Sequence, residues 1–135
     1  MNITDTAKVL AKIQAFNNRT FDKPAVMAWH EVLEDLDLDD SLTAVSTYFR
    51  ESKEWIMPSD IRAGVKAIRN ARVAAIRQDV RLREEDEHLD DVKMWNQCKA
   101  HLVNLIASGQ VTADQYHAYH AGTFQITSMP KALTK

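Results

Sequence analysis

Four nitrogen and sulfur donors are the first residues in this chain whose spacing suggests chemistry: Cys98-x-x-His101 and His117-x-x-His120. The two pairs lie symmetrically about Gly109. In an antiparallel helical hairpin turning at that glycine, residue 101 lies level with 117, and residue 98 with 120. Donors at i,i+3 on facing helices would then close a tetrahedral zinc site. The competing reading puts Cys98 on the apolar face of Trp95, Leu102 and Leu105 as a buried structural thiol, with the histidines at the surface. No other cofactor is suggested. The three glycines are too scattered for a phosphate-cradling loop. Neither a nucleophile elbow nor a metalloprotease signature is present. Paired carboxylates such as Glu84 and Glu87 would need burial and a complementary pocket group before they could do acid–base work. The chain reads as non-enzymatic.

The second set is electrostatic. Arg62, Lys66, Arg69 and Arg77 follow one another along a helix flank, with Arg72, Arg81 and Arg83 nearby. Such a row suits phosphates, giving salt-sensitive, sequence-tolerant binding to DNA. The plainer alternative is a solvated face whose arginines pair with acidic neighbours, including Glu31, Glu34, Asp35 and Asp37. Residues 59–83 hold 7 basic and 2 acidic groups, whereas 84–91, "EEDEHLDD", hold 6 acidic and none basic. A net charge of −2 hides a basic stretch followed directly by an acidic one. Glu84, Glu85 and Glu87 therefore join the candidates for partner binding.

The elements that must position these residues are helical. Few glycines and prolines, 3 of each in 135 residues, leave room for few tight turns. Val9, Leu10, Ile13 and Phe16 form one amphipathic stripe. A second, starting near Asp22–Pro24, carries Val26, Trp29, Val32, Leu33 and Leu36. A third, capped by Asp39 or Asp40, carries Leu42, Val45, Tyr48 and Phe49. Pro58 then forces a corner, with Ser59 supplying a capping oxygen and Asp60 a first-turn charge to the next helix. The bulky trio Trp55, Ile56 and Met57 in that corner is expected to be pinned on the core. From 59 the helical period continues, and i,i+4 pairs such as Asp79–Arg83, Arg81–Glu85 and Arg83–Glu87 would carry it to 87, about 43 Å at ~1.5 Å per residue. A helix that long would project, pack on a C-terminal subdomain, or pair with another chain, as in a homodimer.

A further helix holds Val92, Trp95, Cys98, Leu102 and Leu105 and stops at Gly109. "TADQ", residues 112–115, then reads as a capping box opening a short last helix. The expectation is an all-α chain: a compact N-terminal helical bundle (1–78), a long central basic helix, a C-terminal helical hairpin (79–122) and a flexible tail (123–135). One cysteine, no signal-like start and no run of about 18 apolar residues point to the cytoplasm and away from a membrane.

Two stretches carry a resemblance. "WHEVLEDLDLDDSLTAVSTYF" places a tryptophan, then leucines, an acidic break and a helix ending in aromatics. "WIMPSDIRAGVKAIRNAR" follows, with a Pro-x-x-Ile-Arg start to the next helix. This pattern resembles the phage replicative-helicase loader/inhibitor family, small proteins common in actinobacterial phages. The resemblance implies a protein that binds a ring-shaped replicative helicase, holds it inactive and helps deliver it to the phage origin through other replication proteins. It carries over Trp55, Pro58 and Ile61 as an architectural corner and Arg62 as a contact. In the family the helicase contact is associated with a flexible C-terminal region, whereas residues 88–121 read here as ordered helix. The docking surface is then expected on the acidic 84–91 block or the apolar side of the long helix.

Overall fold

Each helix begins where a side chain can take up a backbone N–H that has no partner within the helix. In the computed structural model, which describes residues 1–76, 79–126 and 129, helix α1 (Ile3–Asn17) opens on a reciprocal capping box between Asn2 and Asp5. Helix α2 (Lys23–Leu33) is capped by Asp22, with a proline in its first turn. Helix α3 (Leu38–Glu51) is capped by Asp37 rather than by Asp39 or Asp40, because Asp40 is buried on the inner side of the first turn. Helix α4 (Pro58–Ala74) begins at the proline itself. Asp60, not Ser59, supplies its capping oxygen, accepting the Met57 N–H at 2.8 Å. Helices α5 (Val92–Ala107) and α6 (Ala113–Ala121) complete the described set, capped by Asp91 and by the Thr112/Gln115 box. The protein is all-α, with no strand among the described residues.

The chain divides into two packing units, Met1–Ile68 and Arg69–Lys135, and the division falls inside α4. In the first unit, α1 packs on α2 and α3 around Val9, Leu10, Ile13, Trp29, Leu33, Val45, Ile56, Ile61 and Val65. Gly64 lets α4 approach α3 closely: a Cβ at that position would stand 2.7 Å from the Ala44 Cβ. Val32, expected on the buried stripe of α2, is exposed instead.

The helix expected to run to 87 stops at Ala74. At about 1.5 Å per residue its 17 residues span roughly 26 Å. Beyond it, Val80 and Leu82 are buried while Asp79 and Arg81 are exposed. That alternation has a period of two. In a helix, residues 80 and 82 would point about 200° apart and could not both reach one core. Two buried aliphatics at i,i+2 therefore prevail over the surface ion pairs, each worth only ~0.2–0.5 kcal/mol. A single 3-10 turn, Glu84–Asp86, follows.

The second unit gathers Ile76, Val80, Leu82, Cys98, Leu102, Leu105, Ile106, Val111, Tyr116, Tyr119 and Met129. Gly109, at φ 82°, turns α5 into the connection to α6. Phe124 and Ile126 pack partly against the same core, so the segment expected as a free tail begins as packed chain. Its residues 127, 128 and 130–135 lie outside the described residues. Among the described residues no helix is long and apolar enough to cross a membrane.

Candidate functional site

Two guanidinium groups of the basic row are engaged within the protein. Arg62 holds Asp35 in a two-pronged ion pair at 2.6 and 3.0 Å and donates to the Val32 carbonyl at 2.8 Å. The hydrogen bond from Arg62 holds the Asp35 carboxyl below the usual carboxylate range. Arg72 donates to the Ala107 carbonyl at 2.9 Å, satisfying one of the orphan carbonyls at the end of α5. Its guanidinium also lies against Gly109, where an added Cβ would sit 3.4 Å from the Arg72 Cζ. Lys66 is exposed and Arg69 half-buried; Arg77 lies outside the described residues. Of the row, Arg62 and Arg72 act as internal struts.

The acidic stretch is fastened from α6. The Tyr116 hydroxyl accepts the Arg81 N–H at 2.9 Å, and the Tyr119 hydroxyl accepts the Arg83 N–H at 3.2 Å. Tyr119 in turn donates to the Asp86 carboxylate. Arg83 lies over the Tyr119 ring, 4.4 Å from its centroid, with its Nε 3.4 Å from Asp86. Burial, together with the bond to Asp86, pushes the Tyr119 hydroxyl up to about 12. The pairs Asp79–Arg83, Arg81–Glu85 and Arg83–Glu87 do not form at helical spacing, because the segment is not a helix; Arg83 turns to Asp86 instead. Glu84 and Glu85 remain exposed, and Glu87 is half-buried.

The zinc geometry is not assembled. Cys98 is fully buried in the core, and burial raises its thiol pKa. His117 and His120 face outward, because Tyr116 and Tyr119 take the inner face of α6. His120 Nε2 lies 2.8 Å from the Arg81 carbonyl, and His101 is half-buried. Among the described residues no group of three His, Cys, Asp or Glu side chains converges well enough to hold a metal.

At the corner, Ile56 and Ile61 are fully buried and Pro58 half-buried, but Trp55 is 63% exposed and Met57 is also open. A connection of this length can turn one side chain of the trio inward, and Ile56 takes that place. Around it stands an aromatic group that the sequence does not announce. Arg19 donates to the Ile56 carbonyl at 2.7 Å, and its guanidinium lies 4.5 Å from the Trp55 ring, 5.0 Å from Phe21 and 5.3 Å from Trp29. Phe16 stacks on Phe49 at 4.8 Å and is largely exposed. The one signal available was Phe16 itself, at the outer edge of the α1 stripe. For the tyrosine anchors it was their i,i+3 spacing in α6.

Residues 1–59 match the family model for the N-terminal domain of gp39P, from a family of phage helicase-binding proteins. The match covers the first of the two stretches that carry the resemblance and ends at the corner, so Ile61 and Arg62 lie beyond it. No curated protein and no solved structure matches the chain significantly.

Proposed function

We propose that this protein is a non-enzymatic accessory factor of phage DNA replication that binds the replicative helicase and controls its loading, holding the ring inactive until it is delivered to the origin with other replication proteins. The observation that carries this reading is the match of residues 1–59 to the N-terminal domain of the phage helicase-binding family. Two small helical units suit an accessory factor of this kind. The nucleic-acid reading of 59–83 keeps Lys66 and Arg69 but loses support at Arg62 and Arg72, whose guanidinium groups are engaged within the protein. A homodimer through a projecting long helix loses its basis, since α4 ends at Ala74.

The test is reconstitution with the ring helicase of the host. Co-elution in size-exclusion chromatography with light scattering supports the reading. Steady-state ATPase and loading of the ring on single-stranded DNA then separate inhibition from delivery. A helicase that elutes alone at micromolar concentrations of both proteins overturns it.

A further inference from the structure

The first turn of α5 leaves an apolar surface open to water. Leu89, three residues before the helix, is 78% exposed and Val92, its first residue, is 68% exposed. With His88 and the half-buried ring of Trp95 they line a shallow cleft of about 110 Å³. If these side chains served only to clamp the start of α5, they would be covered by it; Asp91 already caps that turn through the Met94 N–H at 3.0 Å. The surroundings are mainly acidic. Glu84, Glu85, Asp90 and Asp91 are exposed near the cleft in sequence, against Lys93 in the first turn of α5. Asp86 is already engaged by Arg83 and Tyr119. On the α5 side Lys99 lies over the Trp95 ring at 5.1 Å. The segment leading to the cleft is held by its backbone: Tyr116 and Tyr119 take the N–H groups of Arg81 and Arg83. A surface fixed in this way loses little freedom when something docks on it.

We propose that this cleft seats a basic amphipathic helix of a partner protein, its aliphatic side chains against Leu89, Val92 and Trp95 and its lysines or arginines over the acidic rim. The proposal uses no residue of the 1–59 match, so it stands or falls separately from the helicase reading.

The probe is a fluorescein-labelled peptide of about 18 residues with leucine and lysine at helical spacing, paired with a counterpart carrying glutamate for lysine. Fluorescence anisotropy with the full chain should show binding of the basic peptide only, weakening on going to ~0.3 M salt. Leu89→Asp and Val92→Asp should each weaken it about tenfold. The milder Leu89→Ser and Val92→Ala should act in the same direction, and far-UV circular dichroism should show all four variants folded. Three results would overturn the proposal: no binding of the basic peptide, equal binding of the acidic one, or binding unchanged by the apolar substitutions while Glu84→Gln with Glu85→Gln weakens it. The last would mean unspecific attraction to negative charge.

Discussion

Gly64→Ala should destabilise the first unit, against the usual direction for this change in a helix. In an exposed helix interior, alanine is favoured over glycine by about 0.8–1.0 kcal/mol. Here the new methyl would stand 2.7 Å from the Ala44 Cβ, about 1 Å inside the carbon–carbon optimum of roughly 3.5–4.0 Å. Neither carbon has a rotamer to escape through, so α3 and α4 must separate. Overpacking of this kind costs about 1–3 kcal/mol. The net loss is then about 0–2 kcal/mol, and Ile61 and Val65, on the same helix, lose packing with it. Urea unfolding followed by tryptophan fluorescence in a Trp95→Phe background reads this unit, because Trp29 and Trp55 both lie in Met1–Ile68. Ala44→Gly should restore room, giving a coupling of roughly 2 kcal/mol in the double-mutant cycle. If Gly64→Ala raised stability by ~1 kcal/mol, with no coupling to residue 44, the close approach of α3 and α4 would be refuted.

Spectrophotometric titration should resolve one of the three tyrosines ionising near pH 12, that of Tyr119. Because the folded value is raised, its contribution is intact below about pH 10 and is lost as pH rises towards about 12, up to ~2–3 kcal/mol. Tyr119→Phe removes the bond to Asp86 and should cost about 1–3 kcal/mol in thermal or urea denaturation, with faster hydrogen exchange at Arg83. For the exposed Arg62–Asp35 pair, Asp35→Asn should cost at most ~1 kcal/mol at neutral pH and less in high salt; its contribution fades as pH falls through the depressed Asp35 value. Should DNA binding through α4 be detected, neutralising Lys66 and Arg69 together should flatten its log–log salt slope by about 2. Native Cys98 should react with a thiol reagent only on unfolding, and protein purified without a histidine tag should carry no stoichiometric zinc.

Legibility followed the range of the forces involved. The inner stripes of α1 (Val9, Leu10, Ile13) and α5 (Cys98, Leu102, Leu105) and the caps at Asp22 and Thr112 are local, and each was readable from residue type and spacing, whereas Phe16 and Val92, expected on the same stripes, are exposed. The end of α4 was not, because it depends on where Val80 and Leu82 find a core formed mainly by residues beyond 95. Local charge pairs favoured continuation, and a tertiary demand prevailed. The inward face of α6 was obscure for a similar reason. "YHAYH" offers tyrosines and histidines at the same i,i+3 spacing, and only the backbone of residues 81 and 83, more than 30 positions earlier, selects the tyrosines. The 88–95 cleft was half legible: the acidic block stood out, but the exposure of Leu89 and Val92 depends on the chain not being helical before Asp91.

The identity of the cations also bears on what kind of partner fits. Arg19, Arg62, Arg72 and Arg83 all turn their planar forks inward, towards the Ile56 carbonyl, Asp35, the Ala107 carbonyl and Asp86. Lysine, a compact and strongly hydrated charge, could not hold a carboxylate in two places or lie flat on Trp55 or Tyr119 in the same way. These arginines spend their donors on internal carbonyls and carboxylates. Glu84, Glu85, Asp90 and Asp91, by contrast, stay in water. A sequence that reads as a basic helix followed by an acidic break therefore folds so that the negative part is outside and much of the positive part is occupied. Phosphate backbones are repelled by the 84–91 stretch, and basic protein segments are drawn to it. On electrostatic grounds alone, a basic protein segment suits residues 84–91 better than a nucleic acid does.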